Sequence, residues 1–148
     1  MKFGNLAGQE VSPDTTAVYT FYELPGEPWL RVRPAGDLNR AYFGAVLAAS
    51  AKNRKRLMRG KLDAEMLEQN RILDRKLYPQ HVDGGEWGGW VDDTTGAEVP
   101  YSKQGFQELC AQLPADLFDE LRAFCNEPSN FRSAEAPDSE EIEETAGN

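Results

Sequence analysis

Histidine is almost missing from this chain: His81 is the only one in 148 residues. No cysteine or second histidine stands at ligand spacing from it, so the usual zinc patterns are excluded and no metal site is expected. Cysteine is scarce too, with Cys110 and Cys125 the only two. Both fall on the apolar faces of predicted helices and read as buried thiols of a reducing compartment rather than as a disulfide or redox pair. A Cys-His nucleophile would require one of them to leave that face and meet His81, so nucleophilic catalysis is not supported. No long hydrophobic run occurs either. The longest, around Phe43 to Ala51, is far short of the ~20 residues of a membrane helix. The start, MKFGNLAGQE, has no apolar region or cleavage site of a signal peptide, and the expected location is a cytoplasm.

Phosphate-binding signatures are absent as well. The run GGEWGG has glycines but not the order or strand-to-helix context of a dinucleotide fingerprint, and no Gly-Lys-Ser/Thr loop occurs. Asp92-Asp93 with Gly96 lacks the alternating ligands and closing glutamate of a calcium loop and reads as a turn. The acidic pairs Asp119-Glu120 and Glu143-Glu144 read as solvated faces, not as acids tuned for proton transfer. No catalytic residue and no cofactor is expected.

What is present is acid. Asp and Glu number 25 against 16 Lys and Arg, a net charge of −9 that opposes general affinity for nucleic acid or anionic membrane. Hydrophobic residues at 40% and charged residues at 28% suit one soluble globular domain. Residues 1–16 read as a flexible lead, 17–131 as a single helix-rich domain, and 132–148 as an acidic tail. In that tail Arg132 stands against Glu135, Asp138, Glu140, Glu141, Glu143 and Glu144, a composition that predicts disorder. The expected fold is α+β, mostly α, with about four helices and one or two short β-hairpins.

The pattern along the domain supports that reading. Ala17 to Leu24 is aromatic and β-branched, and after Pro-Gly-Glu-Pro the run WLRVR alternates Trp29, Arg31 and Arg33 with Leu30 and Val32, so a hairpin is predicted. Asp37 is a candidate cap for a helix of about four turns in which Leu38, Ala41, Tyr42, Ala45, Val46 and Ala49 share a face. Its far end carries Lys52, Arg54, Lys55, Arg56, Arg59 and Lys61, with Gly60 placed to stop the helix. That cluster is the one local signal for nucleic acid, set against a solvated helix end or a dock for the acidic tail.

A second helix is predicted from Asp63 to Leu77, with Met66, Leu67, Asn70, Leu73, Asp74 and Leu77 in one stripe and Tyr78-Pro79 ending it. His81 then falls on a loop, and a glycine-rich connection, Asp83 to Gly89, leads to a hairpin around Gly96. Ser102 is a candidate cap for a helix burying Phe106, Leu109, Cys110 and Leu113. Pro114 opens the next, with Leu117, Phe118, Leu121, Phe124 and Cys125 inward. Trp87, Trp90 and Phe131 stand outside these stripes and either fill the core or anchor a partner.

From Trp90 to Phe131 the order W-V-x-D-x-x-G-x-x-V-P-x-S, an apolar helix, Leu-Pro, a second apolar helix and a closing Asn-Phe resembles the tail assembly chaperones of long-tailed bacteriophages. The upstream WLRVRPAGDLNRAYFGAVL is similar to the strand-to-helix passage of such proteins. The resemblance implies a small, non-enzymatic protein of the host bacterial cytoplasm that binds the phage tape measure protein during tail assembly and is absent from the mature virion. It also implies a frameshifted longer form, beginning near EEIEETAGN, as a further partner alongside homo-oligomers. The family brings no catalytic residues, and Phe118, Leu121, Phe124 and Phe131 are the candidates for the partner-binding surface or its support. The rival readings are a structural virion adaptor or tail protein, and a nucleic-acid-binding regulator using Lys52 to Lys61.

Overall fold

The computed structural model describes residues 1–50 and 64–132. Strands β1 (Ala17–Thr20) and β2 (Trp29–Val32) form the predicted hairpin, antiparallel, with Tyr19 opposite Leu30 and Ala17 opposite Val32. Leu30 and Val32 are fully buried while Trp29 and Arg31 are half-buried, as the period-2 pattern requires. The first strand is shorter than its aromatic run, because the chain turns inward at Phe21. That ring is fully buried, and the Phe21 N–H closes onto the Pro28 carbonyl at 2.8 Å.

The third strand, β3 (Asp83–Gly88), occupies the glycine-rich stretch expected to be a connection. It pairs antiparallel with β2, giving a three-stranded sheet in the order β1-β2-β3. The glycines are what let it pair. A Cβ on Gly84 would lie 2.5 Å from the Arg31 carbonyl oxygen, and one on Gly88 would lie 2.5 Å from Nε1 of Trp29. Glycine in a strand marks a close approach of this kind.

Among the described residues four α-helices pack with the sheet in a small α+β domain. α1 (Arg40–Ala49) is capped by Asn39 and not by Asp37, which lies in a 3-10 turn, Gly36–Leu38. The Asn39 side chain accepts from the Tyr42 N–H at 3.2 Å and donates to the carbonyls of Pro34 and His81 at 3.0 and 2.8 Å. It therefore joins the helix start to two other segments, which the exposed Asp37 is not placed to do.

α2 (Ala64–His81) runs past its predicted stop, so Pro79 sits within its last turn and His81, expected on a loop, is its final residue. A proline there forfeits one backbone donor near the helix end, where little of the ladder remains to lose. Burial of Leu77, Tyr78 and Pro79 holds that turn in place, and the Val82 N–H still reaches the Tyr78 carbonyl at 2.8 Å. The predicted stripe is otherwise present, except that Leu67 is exposed.

α3 (Lys103–Gln112) and α4 (Ala115–Cys125) follow the sequence pattern closely. The Ser102 side chain caps α3 by accepting from the Gly105 N–H at 2.9 Å. Phe106, Cys110, Leu113, Leu117, Phe118, Leu121 and Cys125 are all buried. Residues 1–16 contribute a 3-10 turn with no buried residue and the partly buried Val11. The predicted helix start at Asp63, the stop at Gly60, the basic cluster Lys52 to Lys61 and the tail beyond Arg132 lie outside the described residues.

Two kinds of contact bind these elements together. Rings meet edge-to-face along a path that runs Phe131, Phe124, Tyr19, Phe21 and Trp90, with centroid separations of 4.9 to 5.8 Å. The second kind centres on Asp74, which with Asn39 is one of the two buried polar residues given by the described chain. Its carboxylate accepts from the Tyr42 hydroxyl at 2.7 Å and from Nε of Arg122 at 2.8 Å, tying α1, α2 and α4 at one point. Burial first, and then this bond, push the Tyr42 hydroxyl well above its ordinary pKa.

Two glycines in different settings give opposite expectations. Gly44 is exposed inside α1 with open space at its Cβ position, so Gly44→Ala should raise stability by about 0.5–1 kcal/mol. Gly84→Ala, which drives a methyl into the Arg31 carbonyl, should lower it by roughly 1–3 kcal/mol. Urea midpoints of the two variants against the parent decide both.

Candidate binding groove

The hairpin after β3 and the helix α3 enclose a groove. Val91 bridges to Glu98, the Val99 N–H reaches the Trp90 carbonyl at 2.8 Å, and Gly96 takes the left-handed conformation (φ 73°) expected of it. Asp92 accepts from the N–H groups of Thr94 and Thr95 at 2.8 and 2.9 Å, which lowers its carboxyl pKa and confirms its part in the turn. The turn thus presents Val91 outward, 61% exposed.

Trp87 and Trp90 form the floor. Each indole N–H is satisfied by a backbone carbonyl, Trp87 by Val99 at 2.8 Å and Trp90 by Trp29 at 3.1 Å. The two rings lie 6.1 Å apart, and Trp87 meets Tyr101 edge-on at 5.6 Å. Gly105 is the glycine that this arrangement demands inside α3, because a Cβ there would stand 2.9 Å from the Trp87 ring and equally close to the Ser102 hydroxyl. With their polar atoms turned to the backbone, the indoles leave carbon facing the opening.

The groove measures ≈ 330 Å³ and is completed by Leu24, Val99, Leu109, Leu113 and Pro114. Its volume lies at the lower end of the range for small ligand pockets. Trp87 and Trp90 thus pack against the core, one of the two roles left open by the sequence, and also line a surface. Leu24, Val91 and Val99 were not singled out by pattern, and Leu109 was expected only on the buried face of its helix. Their sequence signal is faint, because only the hairpin closing over α3 brings them together.

The four residues expected at a partner surface do not lie together at this groove. Phe118 and Leu121 are fully buried and Phe131 is 1% exposed, so they support the fold from inside. Phe124 is half-buried and reaches shallow depressions beside β1, with Val18 and Tyr22 in one and Thr15 and Arg132 in another.

Asp119 is not the solvated acid that its sequence position suggests. Its carboxylate accepts from Arg71 at 2.8 and 3.0 Å and from Arg122 at 3.0 Å, and the Arg71 bond, ahead of the Arg122 bond, lowers its pKa. Neighbouring Glu120 shifts upward, chiefly through a hydrogen bond with Glu23. The thiols are the opposite of reactive: burial pushes Cys110 up to about 12 and Cys125 well above its ordinary value. A thiol held in that form at neutral pH is a poor nucleophile. Among the described residues no group of three or more His, Cys, Asp or Glu is arranged to hold a metal ion, and no helix is long and apolar enough to cross a membrane.

No family model, curated protein or solved structure matches this chain. The groove is the feature on which a functional reading rests.

Two measurements follow from these shifts. The folded-state pKa of Asp119 lies below its unfolded value of about 3.9, so its contribution is complete above that pH and lost as pH falls through the folded value. The stability gap between the parent and Asp119→Asn should accordingly stay constant from neutral pH to about pH 5 and close in stronger acid, as read by urea midpoints. A thiol reagent should label Cys110 and Cys125 only in step with global unfolding; rapid labelling of the native protein would contradict their burial.

Proposed function

We propose that this protein is a non-enzymatic assembly chaperone that binds the phage tape measure protein in the host cytoplasm. The groove over Trp87 and Trp90 supports this reading best. It offers a concave, largely apolar surface whose two indole N–H groups are already paired, which suits an apolar helix face better than a polar reactant. The buried thiols and the engaged Asp119 leave these groups structural rather than chemical roles. The resemblance of the Trp90 to Phe131 stretch to tail assembly chaperones supplies the identity of the client.

In this reading the core residues Phe118, Leu121 and Phe131 hold α3 and α4 in position, and the hairpin and α3 touch the client. A longer, frameshifted form and self-association belong to the same proposal. The chaperone leaves before the virion is complete.

Co-expression with the tape measure protein of the same phage tests it. The client should become more soluble and co-purify with this chain, and Val91→Lys, an exposed change at the groove lip, should weaken recovery several-fold. Purified particles should lack the protein by mass spectrometry. Unchanged client solubility with no co-purification overturns the proposal, and a fixed copy number in virions would make the protein a tail component instead.

A further inference from the structure

The groove lining is largely apolar, and exposed acids flank its lining residues along the chain. Glu108 is the one charged residue in its lining, and no lysine or arginine lines it. Directly beside lining residues stand Glu23 next to Leu24, Asp92 next to Val91 and Glu98 next to Val99, with Asp116 two residues beyond Pro114. All of these acids are exposed. Between Trp87 and Pro100 the charged residues are Asp92, Asp93 and Glu98, and α3 contributes a single base, Lys103, at its first position. None of Glu98, Glu108 and Asp116 has an ion-pair partner among the described residues, whereas Arg31, Arg71 and Arg122 are all paired elsewhere.

A cluster of acids with no cation to neutralise it raises the local negative potential, and an apolar floor beneath it adds burial energy to any attraction. From this charge arrangement we infer that the groove takes one kind of occupant: an amphipathic helical segment with two or three large apolar side chains at i, i+3 or i+4 spacing, flanked by lysine or arginine. The apolar side chains enter over Trp87, Trp90 and Leu109, and the flanking cations meet Glu98, Glu108 and Asp116 at the rim. Neutral and acidic amphipathic helices are rejected, the latter by repulsion as well as by lack of pairing. The inference rests on the chaperone reading and narrows its client segment to basic-flanked helices.

The test uses the full chain and dye-labelled helical peptides that share one apolar pattern and differ only in flanks of Lys, Gln or Glu, followed by anisotropy. The Lys peptide should bind, with affinity falling as salt rises, and the Glu peptide should bind at least about tenfold more weakly, since several exposed pairs of modest strength act together. The double variant Glu98→Lys/Glu108→Lys, changed only at exposed positions, should reverse the order of the Lys and Glu peptides while its circular dichroism stays that of the parent. Equal affinity for the three peptides, or an order that the double variant leaves untouched, overturns the charge selectivity without touching the chaperone reading. Binding by none of them while the tape measure protein still co-purifies places the client elsewhere on the chain and also overturns it. Loss of co-purification itself is the separate result that removes the chaperone reading.

Discussion

The Asp74 carboxylate is the constraint on which the helical half of this protein depends. A buried carboxylate is costly unless its charge and lone pairs are answered. Here Tyr42 from α1 and Arg122 from α4 answer it together. α1 has only Tyr42 fully inside, so the hydroxyl that reaches Asp74 and the Asn39 cap that reaches the His81 carbonyl are its principal ties to α2. Arg122 extends the same network to Asp119, and Asp119 to Arg71, so that α2 and α4 are crossed twice by charge-assisted bonds. The arginines also cover a ring: Arg75 and Arg122 both approach the face of Phe118, at 4.9 and 5.9 Å from its centroid.

In the other half rings carry most of the ties, beside one ion pair between β2 and β3, Arg31 to Glu86 at 2.8 Å. Rings, not ion pairs, connect the last 3-10 turn (Pro128–Phe131) through α4 to β1 and on to the groove floor. The groove exists because three glycines permit it: Gly84 and Gly88 bring β3 against β2, and Gly105 lets α3 rest on Trp87. A surface made this way is preformed, since the ring positions are set by core packing and by carbonyl partners. That rigidity contrasts with the mobile, methionine-rich surfaces that many promiscuous binders use.

Much of this was legible in the sequence, and what was not has a physical explanation. Ser102, Pro114, Gly96 and the buried faces of α3 and α4 announce themselves because caps, turns and helical stripes are local. The strand at Asp83 to Gly88 was hidden because its glycines answer to Arg31 and Trp29, more than 50 residues away. Asn39 was passed over for Asp37 because both are good caps, and only the positions of Pro34 and His81 decide between them. Pro79 read as a stop because proline usually is one, until burial of its own turn outweighs the lost bond. Phe118, Leu121 and Phe131 were marked as large apolar residues on the right elements, but a stripe that points into a core and one that faces a partner look alike in one dimension. The groove itself is a product of long-range closure, so Leu24 carried no sign of it and Leu109 read only as part of a helical stripe.

The placement of the three tryptophans has an optical consequence. Trp29, Trp87 and Trp90 all belong to one corner, joined by the Trp90 bond to the Trp29 carbonyl and by the Trp29–Gly88 pairing. Around Asp74 the rings are phenols, Tyr42 and Tyr78 at 5.9 Å. Excitation at the red edge therefore selects the sheet and hairpin alone, whereas tyrosine emission mixes Tyr42 and Tyr78 with Tyr19 of β1 and with Tyr101 beside Trp87. Tryptophan emission is thus a built-in reporter of that one corner, whose melting can be followed apart from the loss of helix seen by circular dichroism.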